Sequence, residues 1–210
     1  MNRSVGGLAL FKKAADFETF EQTMQEAFEH HPIRILSYCL MKNHFHLVLW
    51  PRQEDELTNF MRWLTNTHTM RWHVAHKSVG TGHLYQGRFD SFPIQRDEHL
   101  LTACRYVERN PVRPGVVGRA EEWQWGSLWR RKSGSPEQQA ILSDWPVARP
   151  TDWVKRVNKA ESPKEFDAFK RSLVKRCPFG EALWRDRLAV KLGLEHTLRA
   201  VGRPKVTRDE

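Results

Sequence analysis

Apolar positions in the first half of the chain fall into two rhythms. Phe17, Phe20, Met24 and Phe28 recur every three or four residues, which predicts an amphipathic helix over 14–31 that stops before Pro32. Two short runs rich in strand formers follow, Ile33–Met41 and His44–Trp50, with only Lys42 and Asn43 between them, and they predict a β-hairpin. Leu57, Phe60, Met61, Leu64 and Trp72 return to helical spacing and predict a second helix over 56–76. Residues 79–94 begin with glycines and then alternate through Phe89, which predicts a loop and then a strand. Asp97 and Glu98 open a third helix that reaches Asn110, before Pro111. The resulting order (helix, strand, strand, helix, strand, helix) predicts an α+β fold with helices covering a sheet. A β-α-β-β-α-β unit needs one more strand before the first helix, and only Leu8–Phe11 or the extreme N-terminus is placed to supply it.

Beyond Val116 the pattern changes. Trp123, Trp125, Trp129, Trp145, Trp153 and Trp184 lie among Arg, Lys and Pro, and short helices are expected near 121–131, 151–159, 163–175 and 180–193, ahead of the basic end VGRPKVTRDE. Tryptophan prefers partial burial, so packing between small helices is expected of these residues before base stacking. The chain thus divides into residues 1–118 and a helical, Trp-rich, basic extension over 119–210.

Composition narrows the class. With 40% hydrophobic and 28% charged residues the chain has the make-up of a globular protein, and no apolar run approaches the roughly 20 residues of a membrane span. The N-terminus lacks the pattern of a secretory signal, so a cytoplasmic location is expected, with no membrane partner. Cys39, Cys104 and Cys177 are odd in number and far apart, which disfavours a disulfide framework and a thiolate zinc site and predicts buried, reduced thiols. The net charge of +9 favours an anionic partner, nucleic acid foremost. No GxxxxGK[ST] loop is present, so no nucleotide cofactor is expected.

Candidate chemistry begins in KNHFHLVL. Side chains alternate along a strand, so His44 and His46 share one face with Val48 and Trp50, while Phe45, Leu47 and Leu49 take the other. Two readings fit this pair: ligands for one metal ion, or polar residues at the start of a half-buried strand. In CRYVERNPVR, Tyr106 and Asn110 stand four apart and share a helical face. Two imidazoles, an amide oxygen and open positions suit Mg²⁺ or Mn²⁺ in phosphodiester chemistry better than a closed zinc site. Taken alone, Tyr106 and Asn110 also fit a core ring and a helix cap. Tyr38 and Tyr85 have no metal-capable residue one helical turn away, which leaves Tyr106 as the stronger nucleophile. Arg88, Arg105, Arg109 and Arg113 can reach phosphates, and His83 and Tyr85 can contact unpaired bases. Arg203, in the Gly202–Lys205 stretch, can enter a narrow minor groove, with a solvated tail as the alternative. Glu98 and Glu108 read as surface acids.

Together YCLMKNHFHLVLWP, LYQGRFDSFPIQRDEHLL and CRYVERNPVR resemble the single-tyrosine HUH transposases of the IS200-like kind, in particular the REP-associated tyrosine transposases, over about residues 2–129. The resemblance implies a ferredoxin-like antiparallel sheet covered by helices, with residues 1–118 as catalytic domain. It implies metal ligation by His44, His46 and Asn110, with Mg²⁺ or Mn²⁺ as cofactor. Tyr106 is implied as the nucleophile that cuts single-stranded DNA and forms a 5′-phosphotyrosine link at hairpin-forming repeats. A monomer is favoured over a homodimer. The family's first strand ends in a sequence like HVxNR, and here the chain opens at Met1-Asn2-Arg3, so that strand reads as truncated. The alternatives are a non-cleaving DNA-binding regulator of palindromic repeats on the same scaffold and a related replication-initiation nuclease.

Overall fold

The computed structural model describes residues 1–199; Arg203 and the rest of the basic end lie outside the described residues. The sheet has three antiparallel strands, β1 (Asn2–Arg3), β2 (Arg34–Met41) and β3 (His44–Trp50), in the order β1-β3-β2. The Lys42-Asn43 turn sets the hairpin register, which pairs Met41 with His44 and Cys39 with His46. An irregularity between Ile35 and Ser37 shifts that register at the far end.

The first strand is supplied by the extreme N-terminus: Asn2 pairs with Phe45 and Arg3 with His44. It is two residues long. The strand expected near Phe89–Ile94 does not form as such. Tyr85 bridges Ser4, Gln86 donates to the Arg3 carbonyl, and Asp90 and Met1 exchange backbone hydrogen bonds at 2.9 and 2.8 Å, after which the ladder stops. Ser91–Ile94 and the His46–Trp50 stretch of β3 instead flank a cavity of about 570 Å³. Further along, Ile94 pairs with Phe179 instead: Phe179 donates to the Pro93 carbonyl at 2.8 Å and Gln95 to the Phe179 carbonyl at 2.9 Å.

Helices α1 (Ala14–His30) and α2 (Glu56–Ala75) cover one face of the sheet. Asp16 starts α1 by accepting from the Lys12 and Lys13 backbone N–H groups at 2.8 and 3.2 Å. The buried side of α1 (Phe17, Phe20, Met24) meets Phe45 and Tyr38 from the strands and Phe60 and Leu64 from α2. The other face carries α3 (Glu98–Glu108), packed through Leu100, Leu101, Cys104 and Val107 against Leu36, Cys39 and Val48. The strand alternation read from the sequence is therefore observed: Phe45, Leu47 and Leu49 belong to the α1/α2 side, and Val48 and Trp50 to the α3 side.

The C-terminal part is mostly helical: α4 (Ser127–Ser133), α5 (Pro136–Ala140), α6 (Trp153–Asn158), α7 (Pro163–Lys175) and α8 (Ala182–Leu192). Its first half closes the outer edge of β2. Leu40 donates to the Trp125 carbonyl, Ser143 donates to the Ile35 carbonyl, and the indoles of Trp123 and Trp145 donate to the carbonyls of Leu40 and Leu36. Backbone groups that would form an open sheet edge are thereby satisfied, and the tryptophans pack rather than project. All three cysteines are buried and free. No helix among the described residues is long and apolar enough to cross a membrane.

Candidate active site

The site is assembled where β3 passes under the C-terminal turn of α3. Asp97 caps α3 by accepting from the His99 N–H at 2.9 Å, and the helix ends ahead of Pro111, which disfavours further helix at Asn110. Tyr106, in the last turn of α3, and Asn110, two residues beyond its end, come to the same side, towards the histidines of β3. The rings of His44 and His46 are perpendicular with centroids 5.1 Å apart, and His46 meets Tyr106 edge to face at 5.9 Å. The Asn110 side chain is buried and close enough to the His44 ring to act on its titration. His44, His46, Tyr106 and Asn110, singled out in the sequence, thus form one cluster.

Electrostatics keep both imidazoles neutral. Burial lowers the pKa of His44 to about 4, with the Arg3 charge pushing the same way and the Asn110 side chain opposing. His46 is held well below the usual histidine range by burial first and by His44 next. Nδ1 of His44 lies 2.8 Å from the Asn43 side-chain oxygen, so it carries the proton and leaves Nε2 with its lone pair. Two neutral imidazoles and an amide oxygen make a donor set that fits a divalent cation with open positions. Among the described residues no group of three or more His, Cys, Asp or Glu side chains is placed to hold a metal ion.

Tyr106 is half-buried, and desolvation raises its pKa while Arg113 draws it back. The Arg113 guanidinium sits 3.9 Å from the ring centroid, and its Nη1 donates to the Tyr106 carbonyl at 3.1 Å. From α7, Phe169 lies 4.4 Å and Phe166 6.1 Å from the Tyr106 ring.

Three of the arginines read as phosphate contacts, Arg105, Arg109 and Arg113, are engaged by the chain itself. Arg105 donates to the Lys159 carbonyl at 2.7 Å, and Arg109 to the carbonyls of Val157 and Asn158 at 3.1 and 2.7 Å. Glu161 then pairs with both Arg109, at 3.2 Å, and Arg113. Tyr85 is buried in the core, with its hydroxyl 2.6 Å from His68 Nδ1, so its ring does not face a base. Arg88 is exposed in the loop after Gly87.

Three residues that the sequence reading passed over belong to this neighbourhood. Arg3 is exposed beside His44 on β1, and its charge acts on His44, His46 and Tyr106. Glu161 is the counter-charge of two arginines. Glu108, read as a surface acid, is 3% exposed. Burial raises its pKa, while hydrogen bonds from Trp153 and Ser127 oppose the rise.

A family model described as Transposase IS200 like matches residues 9–110. A Haemophilus influenzae protein described as a REP-associated tyrosine transposase is 23% identical over 119 residues, which is 53% of this chain and 68% of that protein. Among solved structures, a REP-associated tyrosine transposase bound to a REP hairpin superposes with a TM-score of 0.51 and 16% identity, covering 65% of this chain and 79% of that one. At that identity the structural likeness establishes the fold: an antiparallel sheet with helices and a helical C-terminal part.

Proposed function

Since residues 9–110 match the IS200-like transposase family model, we propose that the chain is a metal-dependent endonuclease and strand transferase for single-stranded, hairpin-forming DNA, with Tyr106 as nucleophile. The observation that carries this reading is the convergence of Tyr106, from α3, and Asn110, just beyond its end, on the His44/His46 pair of β3. A REP hairpin is the partner named for the structural neighbour, and the net charge of +9 suits a nucleic-acid partner here.

His44, His46 and Asn110 would hold Mg²⁺ or Mn²⁺. When bound, the cation supplies charge stabilisation at a scissile phosphate. A phenol has an ordinary pKa near 10 and is a weak nucleophile at neutral pH. Arg113 favours the phenolate and fixes the ring with its stacked guanidinium. The Tyr106 oxygen attacks phosphorus as its O–H bond breaks; the bond from phosphorus to the 3′ oxygen breaks in turn, and that oxygen leaves as a 3′-hydroxyl after taking up a proton. The product is a 5′-phosphotyrosine link. Attack on that link by another 3′-hydroxyl reverses the step and joins strands.

A second reading, a binder of hairpin repeats that does not cut, draws on the contacts of α7. Phe166 and Phe169 cover part of the Tyr106 ring, and Glu161 occupies two arginines. An end-labelled repeat hairpin incubated with Mg²⁺ or Mn²⁺ separates the two. Cleavage requires a shortened strand with a free 3′-hydroxyl from hairpin labelled at its 5′ end and label transferred to protein from hairpin labelled at its 3′ end; tight binding with neither product supports the binder.

A further inference from the structure

Glu108 lies between Tyr106 and Asn110 in sequence yet faces away from both, because two residues rotate the helix by about 200°. Its Oε2 accepts from the Trp153 indole at 2.7 Å. Its Oε1 accepts from the hydroxyls of Ser127, at 2.7 Å, and Ser37, at 3.3 Å. The two serines are themselves 3.0 Å apart, and Ser127 Oγ also accepts the Tyr38 backbone N–H at 3.0 Å. One carboxylate on α3 is thus held by β2, by the first residue of α4 and by the first residue of α6.

An isolated carboxylate is costly to bury, and an apolar side chain would fill the same space without that cost. Directional bonds do what apolar packing does not. Donors from three elements fix the rotation of α3 about its axis and its height above the sheet. Rotation and height are the two coordinates that decide whether Tyr106 and Asn110 face His46 and His44.

We infer that Glu108 is the positioning residue of this site: through Trp153, Ser127 and Ser37 it sets α3 so that Tyr106 and Asn110 meet the histidine pair, which makes the segment after residue 118 part of the active-site frame. This rests on reading Tyr106 as the nucleophile. A small misplacement of a nucleophile costs on the order of 100-fold in rate.

The test uses the full chain and three variants. Glu108→Leu removes the acceptor at similar volume, Glu108→Gln keeps one carbonyl for Trp153 and offers its amide to a serine oxygen, and Trp153→Phe leaves the carboxylate but removes one anchor. Glu108→Leu is expected to lower kcat for hairpin nicking by roughly 10- to 100-fold with KM within about 3-fold, Glu108→Gln to recover most of that loss, and Trp153→Phe to lose part of it. The chain has three tyrosines, so ¹³C-tyrosine spectra give a readout apart from activity: in Glu108→Leu the Tyr106 resonance should move and the Tyr85 resonance should not. Should Glu108→Leu fail to fold, Trp153→Phe decides. A folded variant with wild-type kcat and an unmoved Tyr106 resonance overturns the inference. A wild-type protein that never forms an adduct overturns the nucleophile reading, and the Tyr106 resonance then judges Glu108 alone.

Discussion

His46 and Tyr106 meet edge to face, 5.9 Å between ring centroids, one from the middle of a strand and the other from the last turn of a helix. Both His44 and His46 are neutral by burial, so their lone pairs are free for a cation without first losing a proton. Replacing either histidine with alanine is expected to lower cleavage by on the order of 100-fold or more while changing hairpin affinity little. Parallel nicking and gel-shift titrations check this. Equal losses of cleavage and binding would mean that the histidines serve the fold or the DNA interface instead.

Glu161 neutralises Arg109 and Arg113 beside the nucleophile. In Glu161→Gln both guanidiniums become available to phosphate. Hairpin affinity is expected to rise by about 3- to 10-fold at low salt, and the slope of log K against log salt to steepen by about one to two. An unchanged slope would show that these arginines never reach the DNA.

Acid should destabilise the fold in a defined window. Burial lowers the pKa of His68 to about 3, while its unfolded value is near 6.5. The folded state therefore holds His68 neutral where the unfolded state binds a proton. Its stabilising contribution is complete above about pH 6.5 and is lost as pH falls towards 3, at up to about 1.4 kcal/mol per pH unit for the group. His44, with a folded value of about 4, adds the same sign over a narrower window. Urea unfolding between pH 7.5 and 4.5 should show this slope, and His68→Gln should flatten it; a variant with the wild-type slope contradicts the assignment.

Across the sheet from the site, Arg130 of α4 is paired with Glu21 of α1, whose Oε1 also accepts the Tyr38 hydroxyl at 2.8 Å. Both charged side chains are buried. Arg130→Met leaves Glu21 buried and unpaired and is expected to cost about 3–5 kcal/mol. Adding Glu21→Gln should restore much of that loss, measured by denaturant midpoints. Additive losses in the double variant would show that the two residues act independently.

The elements near the site were legible because their signals are local. Phe17 to Phe28, the Lys42-Asn43 turn and the alternation from His44 to Trp50 each lie within a few residues of one another, and α1, β2 and β3 follow them closely. The segment around Phe89 carries a strand's alternation, but its pairing is split between the N-terminal residues and Phe179, and no local pattern reports that. Glu108 sits among polar neighbours in CRYVERNP and reads as exposed, because the residues that bury it come 19 and 45 positions later. The same distance hides the arginines' main partners: the carbonyls that engage Arg109 and the acid shared by Arg109 and Arg113 lie 48 or more positions away. Tyr85 next to glycines looks like a loop tip, yet its pairing beside Ser4 turns it onto His68.

Covalent attachment is the most direct test of the central claim. Trypsin cuts after Arg105 and Arg109, so the nucleophile would be released in the four-residue peptide YVER. After reaction with a hairpin substrate and nuclease trimming, mass spectrometry should find a nucleotide phosphate on that peptide, at Tyr106, and Tyr106→Phe should yield none. A nucleotide on Tyr38 or Tyr85, or cleavage that proceeds in Tyr106→Phe, would contradict the account.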